Sequence, residues 1–166
     1  MSAKLRYAHE ASSTPELGAS GLRPDGAMDV VCPASAAQLP VLRAIATSIA
    51  LRADADLDLV ADLRLAVDEV CSTLIRSAGP EEPLRCRFAS SEDSVRLDAS
   101  VWSEQREPVE DELGRLLVAS LADQVSSGAR PLDDGFVLRT SVVVRVHTEP
   151  DLAPPEAGPV LPGASS

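Results

Sequence analysis

The segment 57–78, LDLVADLRLAVDEVCSTLIRSA, constrains the fold of this chain more than any other. Val60, Leu63, Val67, Val70, Cys71, Leu74 and Ala78 recur at the spacing of one helix face. An apolar stripe of that kind forms a helix laid on a core. Another face carries Asp62, Glu69, Thr73 and Arg76, separated by seven, four and three residues. That spacing sets carboxylates, a hydroxyl and a guanidinium in one row along the helix. The ordinary reading of such a row is a solvated face, and only the rest of the chain can argue for more.

Residues 1–27 are rich in Ser, Ala, Gly and Pro without sustained periodicity and read as an N-terminal arm outside the fold. The Pro-rich stretch 148–166 reads as an extended or disordered tail. The folded domain is expected over 28–147. It opens with a strand, MDVVC, broken by Pro33. Ser35 is positioned to cap a helix running to about Arg52, whose regular part starts near Pro40. Leu39, Leu42, Ile45, Ala46 and Ile49 keep a helical rhythm there, and Arg43 projects off the stripe. Asp56 or Asp58 is placed to cap the long second helix.

After Gly79-Pro80, the alternating runs LRCRFAS and SVRLDASVW flank a short SED turn and predict an antiparallel hairpin. Leu84, Cys86 and Phe88 share one face of the first run, and Val95, Leu97, Ala99 and Val101 share one face of the second. A third helix is expected near residues 113–125, then a turn at PLDDG that uses Gly135, then a last strand, FVLRTSVVVRV. The order strand–helix–helix–strand–strand–helix–strand predicts an α/β two-layer sandwich, a mixed, mostly antiparallel sheet with helices on one face.

At 166 residues the chain suits one domain with a sizeable core. Its formal charge of −11 argues against direct binding of nucleic acid or of an anionic membrane, and suits a basic protein partner. No apolar run approaches the roughly 20 residues of a membrane span, and no signal-peptide pattern is evident, so a soluble cytoplasmic protein is expected. Cys32, Cys71 and Cys86 have neither metal-ligand spacing nor the even number of a disulfide framework. Cys71 lies in the apolar stripe, where a thiol behaves as a small hydrophobe. His9 and His147 form no triad or metal cluster, and there is no G-x-S-x-G motif.

The element order and the helix LRLAVDEVCSTLIRSA resemble the GHKL-type (Bergerat) ATPase fold, and more narrowly the RsbW/SpoIIAB group of bacterial anti-sigma factors. That group's A-V-x-E-A-x-x-N pattern stands here as Ala66-Val67-Asp68-Glu69-Val70-Cys71-Ser72-Thr73. The likeness spans about 28–146 and is strongest to actinobacterial proteins acting on SigF/SigB-type factors. It implies a homodimer that holds an alternative sigma factor, is countered by a STAS-type anti-anti-sigma protein, and in typical members phosphorylates a serine of that antagonist with ATP and magnesium.

Carried over residue by residue, the resemblance makes Glu69 the candidate catalytic carboxylate, which orients the attacking hydroxyl. The family's magnesium-binding asparagine is Thr73 here. Its adenine-binding D-x-G-x-G motif has its nearest fit in Asp98-Ala99-Ser100-Val101-Trp102, with Ser and Trp in place of both glycines. The glycine-rich phosphate lid becomes Glu110-Asp111-Glu112-Leu113-Gly114-Arg115, one glycine among three acids, which compete with a triphosphate for a helix N-terminus. Glu69, Thr73, Asp98 and Gly114 are therefore the candidate nucleotide-binding residues of a degenerate site. No cofactor is expected, and ATP with magnesium only if that site works. Arg43 matches an arginine that relatives use at the partner surface. Trp102 reads as core or a plug at the sheet end, and otherwise as an interface anchor.

The expected function is an anti-sigma factor acting by sequestration. An active serine kinase using Glu69 and Thr73, and an α/β interaction domain with only a historical link to the fold, are the alternatives.

Overall fold

The computed structural model describes residues 27–109 and 112–146. The terminal arms, His9, His147, Glu110 and Asp111 lie outside the described residues.

Strand β1 (Met28–Pro33) leads through a 3-10 turn (Ala36–Gln38) into α1 (Leu39–Arg52). Ser35 caps the 3-10 turn, its Oγ accepting from Ala37 N at 3.4 Å. Pro40 falls in the first turn of α1, where a missing N–H costs nothing. Leu42, Ala46, Ile49 and Ala50 form its buried side. Asp54 turns the chain with a φ of 54°.

Of the two candidate caps for α2 (Leu57–Ser77), Asp56 does the work, its Oδ1 accepting from Leu59 N at 2.7 Å. Asp58 sits in the first turn, where its charge complements the helix dipole. The expected stripe is buried from Val60 to Leu74, joined by Leu59, Ala66, Thr73 and Ser77. Each large apolar side chain so buried favours this placement by roughly 1.5–3 kcal/mol.

β2 (Pro83–Ser90) and β3 (Ser94–Ser103) form the expected hairpin. Its turn is held by Ser91, whose N–H donates to Ser94 O at 2.8 Å and whose hydroxyl donates to Asp93 Oδ1 at 2.7 Å. α3 spans Glu112–Leu121, shorter than the helix expected near 113–125, because residues 124–132, expected to hold the end of that helix and the start of the PLDDG turn, form a strand. β4 (Gln124–Leu132) pairs along its length with β5 (Gly135–Arg145), from Gln124 opposite Val143 to Leu132 opposite Gly135. Asp123 marks the switch from helix to strand. Its N–H donates to Val143 O at 3.0 Å, and its carboxylate accepts from Arg145 N at 2.7 Å.

The result is the α/β two-layer sandwich read from the sequence, with sheet order β1-β2-β3-β5-β4. All four ladders are antiparallel, so the sheet is not the mixed, mostly antiparallel one expected from the element order. Leu84, Cys86, Phe88, Val95, Leu97, Ala99, Val101, Leu138, Val142 and Val144 join the buried faces of α1, α2 and α3 in one core. Among the described residues no helix is long and apolar enough to cross a membrane.

Trp102 closes one end of the sheet with Leu132 and Val137, apart from the main core, as the plug reading anticipated. Two glycines make room for it. A Cβ on Gly79 would lie 2.4 Å from its ring, and one on Gly135 would lie 2.6 Å from both the ring and Ser103 O.

Candidate functional site

The polar row of α2 is a connected network. Glu69 and Thr73 are one turn apart, and the Thr73 hydroxyl donates to Glu69 Oε1 at 3.4 Å. Arg76, three residues on, donates from Nη2 to Thr73 Oγ1 at 3.1 Å and lies 3.7 Å from Glu69 Oε1. The side chain of Glu69 is 24% exposed, so this ion pair is only partly screened by water.

The same helix end holds the chain that follows β3. Ser77 Oγ donates to Thr73 O and accepts from Val109 N, both at 2.8 Å, and Arg76 Nη2 reaches Val109 O at 3.5 Å. The approach to α3 is thus tied to α2 by two side chains.

Between α2, α3 and the β4–β5 pair lies a cleft of about 50 Å³ lined by Glu69, Val70, Thr73, Gly114, Arg115, Val118, Val125, Ser127 and Thr140. Gly114 is buried on α3 facing it. Ser127 and Thr140 close its floor with their hydroxyls 3.1 Å apart. Three of the four residues aligned with the nucleotide site, Glu69, Thr73 and Gly114, are therefore brought together.

Asp98 does not join them. Leu97 and Ala99 are buried in the core shared with the helices, so strand alternation turns Asp98 to the opposite face of the sheet. There it accepts a hydrogen bond from Arg139 Nη2 of β5 at 3.1 Å. Its surroundings make it one half of a cross-strand ion pair on the outer face.

Arg43 lies elsewhere again. From α1 it donates Nη1 to Asp68 Oδ1 of α2 at 2.8 Å, linking the two helices beside Glu69. Both side chains keep about a third of their surface in water, 34% and 36%. Leu65, one turn before Asp68 and Glu69 on α2, is 49% exposed, large for an apolar residue. The sequence reading missed Ser77, Ser127 and Thr140. Ser77 was legible as the residue four positions after Thr73, whereas Ser127 depends on a strand that was not expected.

Chemically, the cleft offers a carboxylate already in contact with a guanidinium, three hydroxyls and an apolar wall. Among the described residues, no group of three or more His, Cys, Asp or Glu side chains could hold a metal ion.

Comparison with known proteins agrees with this architecture. The model of the histidine kinase-like ATPase domain matches residues 32–141. Over 111 residues the chain is 37% identical to the anti-sigma-F factor RsbW of two Mycobacterium tuberculosis strains, CDC 1551 / Oshkosh and H37Rv. That alignment covers 64% of this chain, which spans 66% of the length of those relatives. The crystal structure of the RsbU and RsbW domains of Rv1364c from Mycobacterium tuberculosis shares the fold. Its TM-score is 0.53 at 14% identity, over 72% of this chain and 32% of that one. The chain belongs to the histidine kinase-like ATPase domain family.

Proposed function

We propose that this protein is an anti-sigma factor of the RsbW type. It sequesters an alternative sigma factor, is displaced by a STAS-type anti-anti-sigma protein, and acts as a cytoplasmic homodimer. The observation that carries the reading is the 37% identity to anti-sigma-F factors along most of the folded domain. The surface around Arg43, Asp68 and Leu65 supports it, since an arginine beside an exposed leucine suits a protein partner. The excess of acidic residues suits a partner with a basic face.

We further propose that sequestration proceeds without ATP turnover. Sites for ligands of that size measure roughly 300–1,000 Å³, and the cleft is about 50 Å³. A magnesium ion asks for oxygen ligands, whereas Glu69 and Thr73 both contact Arg76, which brings a positive charge of its own. Asp98, the nearest match to an adenine anchor, points away from Glu69 and is paired with Arg139. These features do not fit a magnesium nucleotide. Glu69 then serves to order α2 through Thr73 and Arg76.

The test is co-elution of the purified chain with the alternative sigma factors of the genome that encodes it, with and without MgATP. A stoichiometric complex that forms equally well in both conditions supports the reading. Failure to capture any of them overturns the anti-sigma role. Transfer of phosphate from ATP to a STAS-domain serine overturns the proposal on the site and installs the kinase.

A further inference from the structure

We propose that Cys71 and Cys86 are the two halves of a disulfide that forms on oxidation by a peroxide, with Cys32 as the thiol through which the oxidant enters. Cys71 on α2 and Cys86 on β2 are fifteen residues apart in sequence, yet their sulfurs lie 3.9 Å apart in the core. Cys71 is fully buried and Cys86 nearly so. A disulfide requires the sulfurs to close to about 2.05 Å, a shift of roughly 2 Å that rotation about two Cα–Cβ bonds can supply.

Cys32 completes the cluster. Val30 pairs with Cys86 and Cys32 with Leu84, so Cys32 and Cys86 face the helices from adjacent strands, displaced diagonally. Such neighbours are about 7–8 Å apart, beyond the roughly 4.4–6.8 Å Cα separation of a disulfide, so β1 has to move by about 1–2 Å for this bond to form. β1 is six residues long and paired on one side only, which keeps that shift cheap.

The three thiols differ in access. The hydrogen bond with Cys86, then burial, raises the Cys71 thiol well above the usual range. Since the thiolate is the reactive form, Cys71 resists direct attack, and Cys86 is shielded by its burial. Cys32 is only partly buried, and burial raises it as well. It is the thiol that peroxide meets first.

The steps balance. Cys32 thiol and hydrogen peroxide give the sulfenic acid and one water. Cys86 thiol attacks that sulfur, giving the Cys32–Cys86 disulfide and a second water. Cys71 then attacks the Cys86 sulfur, and Cys32 leaves as a thiol. The net reaction converts two thiols and one peroxide into one disulfide and two waters, and it ties α2 to β2 two residues beyond Glu69.

The experiment treats the full chain with hydrogen peroxide, quenches, alkylates under denaturing conditions, and reads intact mass and linked peptides. The expected product has lost two hydrogens, alkylates once, at Cys32, and joins the Cys71 and Cys86 peptides. Dithiothreitol reverses it. Cys32→Ser forms the same bond about tenfold more slowly or worse, having lost the accessible thiol. Cys71→Ala, a small apolar replacement, stops at the Cys32–Cys86 bond. Three alkylatable cysteines after treatment, or sulfinic acid at Cys32 beside a reduced pair, would overturn the proposal. An unchanged rate in Cys32→Ser would overturn the relay.

Discussion

The Arg43–Asp68 pair separates two roles that a single substitution would confuse. Arg43→Asp removes a charged hydrogen bond of 2.8 Å and leaves two carboxylates facing each other. Because the pair is about one-third exposed, its loss costs only about 0.2–1 kcal/mol, and the new repulsion adds a similar amount. The midpoint of thermal unfolding should therefore fall by no more than roughly 8 °C. Binding responds on a different scale. Reversing a charge buried against a partner costs about 2–5 kcal/mol, and 2 kcal/mol is already about 30-fold in affinity. The charge-swapped double variant, Arg43→Asp with Asp68→Arg, rebuilds the intramolecular pair with its polarity reversed. It should regain thermal stability while sigma-factor affinity, read by surface plasmon resonance, stays depressed. If affinity returns together with stability, Arg43 acts by positioning α1 on α2, and the partner-contact reasoning is refuted. Unaltered affinity in the single variant would remove Arg43 from the interface altogether.

Other outcomes follow from the same contacts. Gly135→Ala places a methyl 2.6 Å from Trp102 and Ser103 O and should cost about 1–3 kcal/mol in urea unfolding. Adding Trp102→Leu should make the pair of changes less than additive, and strict additivity would mean that the ring is not what Gly135 accommodates. Glu69→Ala should leave sigma-factor affinity unchanged, since its carboxylate is engaged by Thr73 and Arg76 of its own helix; a binding defect would place Glu69 in the interface. The Asp93 carboxyl is held below its ordinary 3.8 chiefly by the Ser91 hydroxyl. A depressed carboxyl stabilises above its unfolded value and loses that contribution as pH falls through its folded one. Ser91→Ala should therefore raise the Asp93 titration seen by NMR and alter stability only above about that pH; an unmoved titration would contradict the hydrogen bond as its cause.

What could be read in the sequence follows where burial is one-sided. α2 was legible because its stripe from Val60 to Leu74 is buried while Glu69 and Arg76 keep contact with water. The β2–β3 hairpin was legible for the same reason at a period of two. β4 was not, because its exposed sequence, QVSSGARPL, has no apolar alternation. Its conformation comes from pairing back on β5 across the two-residue turn at Asp133 and Asp134, so the turn was legible while the strand leading into it was not. Its proline sits near the end of an edge strand, where the missing N–H is tolerated.

The candidate site divides in the same way. Glu69 and Thr73 were found together because helical spacing is regular, and Gly114 joined them through the lid-helix match. Asp98 matched a motif by its letter, but the alternation of Leu97 and Ala99 already assigned it to the other face of the sheet. The closeness of Cys71 and Cys86 had no sequence signal, since it joins a helix stripe to a strand face across the core.

The central claim is that this member of an ATPase-fold family acts on a protein partner through a site that no longer accepts a nucleotide. Isothermal titration of the purified chain with MgATP, beside a nucleotide-binding relative as positive control, tests it most directly. The account predicts no saturable heat from this chain up to millimolar ATP. A dissociation constant in the micromolar range would contradict it and make Glu69 a working catalytic carboxylate.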